Sequence, residues 1–180
     1  MTSAPPSPSP DNPFHDHIPG SDIPQADNLQ RVRLVVDAVA AGHPTQEQVI
    51  EHTRVSLRHV SYSLHAARGL GFLDLDGRTY HLTAPGRALC ATRRMSEEER
   101  ASFREAYSRN PILVTIAPGL FDPQGPSVDE ITEIIERRGR LSPATARRRA
   151  RALLSWRLQI LEPQKYAYLL DATEGAFVDD

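Results

Sequence analysis

The feature that most constrains this chain is the run Phe72-Leu73-Asp74-Leu75-Asp76-Gly77-Arg78-Thr79-Tyr80-His81-Leu82, two short segments on either side of an Asp-Gly pair. Asp-Gly supplies the positive-φ residues that a two-residue turn needs, so the run reads as a β-hairpin. Helical patterns precede it. Leu29, Val32, Val35, Val36 and Val39 recur every three to four residues and stop at Gly42-His43-Pro44. Thr45 and Gln48 have the spacing of a capping box and open a short second helix that buries Val49 and Ile50. Ser56 is placed to cap a third helix with Leu57, Val60, Leu64 and Ala67 on one face and Gly69 at its end. Three helices followed by a hairpin are therefore expected over residues 27–95.

Thr83 and Pro85 then open a further helix with Leu89 facing inward. Ser96-Glu97-Glu98-Glu99 reads as a second capping box starting a helix to about Ser108, which joins two modules or forms a homodimer contact. Asn110-Pro111 ends it; Ile112 to Ile116 fits either a buried strand or a short helix, and the Pro/Gly-rich stretch 117–126 is a loop. Ser127 and Glu130 form a third capping box for a helix with Val128, Ile131, Ile134 and Ile135 inward, closed by Gly139. Ser142-Pro143 starts a helix to about Gln159, with Ala146, Ala150, Leu153, Leu154 and Leu158 as its buried stripe and Trp156 in the core. Tyr166 to Leu170 has the composition of one strand with no return strand. The expected organisation is a disordered Pro/Ser-rich tail over 1–26, a first module over 27–95, a linking helix and loop over 96–126, a second module over 127–170 and an acidic tail over 171–180.

The formal net charge of −2 argues against a nucleic-acid partner until its distribution is read. Residues 27–95 carry nine Arg against six acids and residues 127–161 eight Arg against four, while the three remaining segments are net acidic. The positive charge therefore concentrates on the two helical modules. On the third helix Arg58, Ser61, Tyr62 and Arg68 face away from the apolar stripe, with His59 and His65 beside them. Arg78 adjoins the hairpin turn, where it can touch a phosphate or the minor groove. Thr145, Arg147, Arg148, Arg149 and Arg151 crowd the first half of the Ser142-capped helix, close to backbone amides that also favour phosphate. Surface pairing with Glu130, Glu133 and Glu136 contributes only ~0–1 kcal/mol per pair and is a weak reason for such a cluster. All ten residues are expected to contact double-stranded DNA, by groove readout or phosphate anchoring.

Tyr80-His81-Leu82-Thr83 followed by Gly86 resembles the end of the wing in winged-helix proteins, and the run from Pro143 to Trp156 (PATARRRARALLSW) is similar to winged-helix modules associated with bacterial restriction and phage-defence systems. The resemblance implies a mainly α fold with small β-hairpin wings, in two winged-helix (helix-turn-helix) modules, the second wing being truncated. It also implies a transcriptional regulator or a DNA-targeting accessory factor, with catalysis, if any, supplied by a nuclease or ATPase partner. The alternative is a protein-protein interaction module of a larger defence complex that binds no DNA itself.

No catalytic residue is expected: the chain has no phosphate-binding Gly-rich loop, no nucleophile-base pair and no metal-ligand spacing, and its histidines are scattered. His15 and His17 lack the further ligands a metal site needs. Cys90, the single cysteine, sits in an apolar helical context and reads as a small core residue rather than a reactive thiol. No cofactor is expected. The N-terminus has neither the basic start nor the apolar stretch of a signal peptide, and no apolar run is long enough to span a membrane, so a cytoplasmic location without membrane contact is expected.

Overall fold

A computed structural model describes residues 17–167. The described residues are mainly helical, with a two-stranded antiparallel sheet. Helices α1 (Leu29–Ala40), α2 (Gln46–Thr53) and α3 (Leu57–Gly69) are followed by strands β1 (Leu73–Asp76) and β2 (Thr79–Leu82). Helices α4 (Ala84–Ala91), α5 (Glu97–Arg109), α6 (Pro111–Ile116), α7 (Val128–Gly139) and α8 (Pro143–Leu161) complete it.

Local chemistry explains most boundaries. Asn28 accepts from the Arg31 amide to start α1, and Thr45 with Gln48, like Ser127 with Glu130, forms a reciprocal capping box. In the hairpin Leu73 pairs with Leu82 and Asp76 with Thr79, and Gly77 takes the turn at φ +58°. The Tyr80 amide donates to the Pro44 carbonyl at 2.7 Å, which ties the hairpin to the α1–α2 connection. Gly86 lets α4 close on the start of β1, since a Cβ there would lie 2.1 Å from the Phe72 carbonyl oxygen. The apolar run 112–116 is helical, started by Asn110 as cap and Pro111 in the first turn.

The second capping box is not one. Ser96 does accept from the Glu99 amide, but the Glu99 carboxylate turns inward, 1% exposed, against Arg33 at 3.0 Å. Arg33 also donates to Asp37 at 2.8 Å, to the Thr92 hydroxyl, and to the carbonyls of Cys90 and Thr92, while Glu99 accepts from Gln30 and from the Met95 amide. Every donor of this buried guanidinium is used, the condition under which a buried ion pair is tolerated. It fastens α1 to α5, whose Phe103, Ala106 and Tyr107 enter the core.

Residues 17–26 also depart from the expected disordered tail. Ile18, Ile23 and Ala26 are buried, and the segment lies as a strap across α7 and α8. The Ile18 amide donates to the Arg138 carbonyl at 2.9 Å, and the Trp156 indole donates to the Ala26 carbonyl at 2.9 Å. Gln159 donates to the Asp27 carbonyl at 2.7 Å and accepts from the Leu29 amide at 2.8 Å. A proline-rich segment that makes few hydrogen bonds to itself is ordered here because side chains of α8 satisfy its backbone. Its apolar residues join those of α1, α3, α5, α6, α7 and α8 in one contiguous core, with Trp156 1% exposed.

The expected strand at 166–170 is helical in its described part: residues 163–167 form a helical turn in which the Tyr166 amide donates to the Glu162 carbonyl at 3.0 Å. Glu162-Pro163 ends α8, and Pro163 then starts this turn, as proline does at a first helical position. The remainder of that expected strand, the acidic tail and residues 1–16 lie outside the described residues.

Candidate nucleic-acid interface

Two helix pairs, α2–α3 and α7–α8, turn the same corner. Arg54 closes α2 at φ 60°, ψ 15° and Arg140 closes α7 at φ 49°, ψ 37°, both left-handed. One apolar residue follows each, Val55 or Leu141, and then an N-cap serine: Ser56 at φ −60°, ψ 149° and Ser142 at φ −62°, ψ 150°. Each serine hydroxyl bonds the side chain three residues on, His59 Nδ1 at 2.9 Å or the Thr145 hydroxyl at 3.0 Å. With Ser56 placed on Ser142, burial matches along the helices: Val60 with Ala146, Ser63 with Arg149, Leu64 with Ala150, Ala67 with Leu153 and Leu70 with Trp156. The repeated Arg-x-Ser spacing is a sequence signal that propensity and charge reading pass over.

This register separates the arginines of α8. Arg149 falls on the inward position of Ser63 and is 8% exposed. Its Nη1 donates to the carbonyls of Gly20 and of Ile23, the latter at 2.8 Å, while its Nε has no partner. Burial first and the neighbouring Arg148 charge second lower its pKa. Arg149 is therefore a clamp on the strap and not an exposed DNA contact; α8 packs against both α7 and the strap, so its buried face takes in Arg149, Ala152 and Gln159, while Leu154 and Leu158 of the expected stripe are only half-buried.

Arg148 and Arg151 remain exposed and line a cleft of about 460 Å³ together with Arg58, His59 and Tyr62 of α3, Arg31 of α1 and Gln25 to Asn28 of the strap. The two basic clusters, some 90 residues apart in sequence, thus meet on one face. Arg58 lies over the Tyr62 ring at 5.5 Å and donates to its hydroxyl at 3.3 Å. Arg148 donates to Gln25 at 3.3 Å. Among the described residues none of Arg31, Arg58, Arg148 and Arg151 is ion-paired, and Asp27 is the one carboxylate in the cleft lining. Four guanidinium groups around one recess repel one another, and an anion relieves that repulsion.

The other expected contacts lie elsewhere. Arg147 is exposed but pairs with Asp129 of α7 at 2.6 Å. Thr145 is half-buried in the cap of α8, Ser61 is half-buried on α3 outside the cleft, and Arg68 is exposed in the last turn of α3. Arg78 projects from the hairpin turn, its side chain 83% exposed, and pairs with Glu47 at 2.6 Å. The Glu47 carboxyl is held below its ordinary range by its own helix-start amide and then by Arg78. Arg31, Gln25 and Asn28 were not among the expected residues, because the strap that brings two of them to the cleft has no local signature of order.

Among the described residues no three of His, Cys, Asp and Glu gather to hold a metal ion, and no helix is long and apolar enough to cross a membrane. Cys90 is half-buried, and burial together with Asp37 pushes its thiol up to about 11. Comparison with protein-family models, with curated proteins and with solved structures finds no match.

Proposed function

We propose that this chain is a double-stranded DNA-binding protein, a regulator or DNA-targeting factor built on two helix-turn-helix units. In the first, winged-helix unit α3 enters the groove and the β1–β2 hairpin is the wing; in the second α8 plays the corresponding part without a wing. Arg58, Tyr62, Arg148 and Arg151 are its central contacts, with Arg31 added. Ser61, Arg68, Arg147 and Thr145 flank them on the same two helices, and Arg78 reaches the backbone from the wing once it exchanges Glu47 for a phosphate.

The observation that carries this reading is the convergence of two helices with matching corners on one face whose four arginines have no carboxylate partner. Arginine without internal pairing presents a planar fork of donors to phosphate oxygens. If each of the four neutralises one phosphate, affinity falls with a log–log salt slope near −3.6, or roughly a hundredfold between about 50 and about 200 mM salt.

The test is fluorescence anisotropy of the full chain with labelled genomic duplexes at those two salt concentrations, beside an Arg148→Ala/Arg151→Ala variant. Sequence-enriched binding whose salt slope is shallower by about 1.8 in the variant is the expected result. No retention of DNA at low salt refutes the reading and favours a protein-docking role for the same face.

A further inference from the structure

The face that carries the arginines is concave, and grip on a duplex backbone does not require a recess. At about 460 Å³ the cleft between α3 and α8 falls within the ~300–1,000 Å³ range of small-molecule sites. Its chemistry is one-sided. Guanidinium groups are donors only, so Arg31, Arg58, Arg148 and Arg151 surround the space with hydrogen-bond donors and positive charge against the single carboxylate of Asp27. The nearby acceptors are partly committed: the Gln25 carbonyl to Arg148, and the Asn28 side chain to the Arg31 amide at 3.0 Å. What the recess lacks is a compact group with several acceptor oxygens and more than one negative charge.

We propose that the cleft is a binding site for a small phosphorylated ligand, with its phosphate groups held between Arg58 of α3 and Arg148 and Arg151 of α8, and Arg31 closing the third side. Planar guanidinium forks match phosphate oxygens, and a ligand with two linked phosphates can meet donors from both helices at once. The half-buried side of Tyr62 and the small side chains of Ala26 and Ala152 give the apolar part of the lining, on which the rest of such a ligand rests. Because Arg58, Arg148 and Arg151 are the same side chains that the DNA reading uses, an occupied cleft excludes DNA. That consequence rests on the proposed function; the ligand site itself does not.

The experiment is isothermal titration of the full chain with inorganic phosphate, inorganic pyrophosphate and adenosine diphosphate in separate arms, followed by the same titrations on Arg151→Ala, Arg31→Ala and Arg109→Ala. Arg109 is exposed on α5, outside the cleft, and removes the same charge. The expected result is saturable one-to-one binding of pyrophosphate or adenosine diphosphate, weakened about tenfold or more by either cleft substitution and unchanged by Arg109→Ala. Tighter adenosine diphosphate than pyrophosphate assigns a nucleotide, and the reverse assigns a ligand held through its linked phosphates alone. Absence of saturable binding in all arms, or equal weakening by Arg109→Ala, overturns the proposal. Competition then separates the two readings. Ligand binding without any DNA binding removes the DNA reading and leaves this site; DNA binding without ligand binding removes this site alone; simultaneous binding of both refutes the exclusion.

Discussion

In an Arg149→Ala variant the chain loses the two bonds that hold Gly20 and Ile23 to α8, while Arg148→Ala one position earlier removes an exposed guanidinium. Hydrogen bonds from a charged donor contribute about 1.5–3 kcal/mol each, so the pair offers a gross ~3–6 kcal/mol. Against that stands the desolvation of a guanidinium with an unpartnered Nε, which lowers its pKa and takes back part of the gain. A net cost near 2–4 kcal/mol remains, and at ~2–4 °C per kcal/mol for a domain of this size Tm should drop by about 4–16 °C. Arg148→Ala should leave Tm within about 1 °C and weaken DNA retention. The assay is thermal unfolding by circular dichroism for both variants, with DNA anisotropy measured well below the lower Tm. An unchanged Tm for Arg149→Ala, or a loss of DNA affinity equal to that of Arg148→Ala in folded protein, would refute the assignment of opposite roles to adjacent arginines.

Three further outcomes follow from the core. Glu99→Ala leaves Arg33 charged and buried with Asp37 as its remaining ion partner and should cost about 1.5–3 kcal/mol in urea unfolding, whereas an Arg33→Met/Glu99→Leu double variant should recover most of the loss; equal loss in both would show that the pair's charge is not what matters. Cys90, with its thiol at about 11, should carry roughly a thousandth of its population as thiolate at pH 8 and react slowly with iodoacetamide, accelerating up to pH 10; rapid modification at neutral pH would contradict this. Gly86→Ala drives a Cβ into the Phe72 carbonyl and should cost about 1–3 kcal/mol by parting α4 from β1, read as a lower Tm.

What could be read from the residues alone is what is decided within a few positions. The caps at Thr45, Ser127 and Ser142 and the inward stripe of α1 depend on neighbours no more than four residues away, and each stands as expected; the hairpin forms too, but its two-residue turn is Gly77-Arg78, with Asp76 inside β1 opposite Thr79. The strap could not be read in this way, since the partners that order it sit about 130 residues along the chain. Glu99 has the spacing of a cap partner, but its carboxylate takes Arg33 across the core and the Met95 amide, while the Ser96 amide donates to the Arg93 carbonyl. Arg149 differs from Arg148 only by its phase on a helix covered from two sides, and the second cover is the strap. The cleft combines these non-local effects: its arginines were visible as two clusters, but their meeting depends on packing between α1, α8 and the strap.

The strap also sets an order of events during synthesis. Trp156 and Gln159, which hold Ala26 and Asp27, are added about 130 residues after them. At ~5–20 residues per second that interval is roughly 6 to 26 seconds, and until it has passed the bonds from α8 that hold the strap cannot form. The first three helices and the hairpin are complete by residue 82, well before α8 exists. The cleft therefore cannot be built until α8 has been made, since its arginines come from α1, α3 and α8 and its strap is held by Trp156 and Gln159.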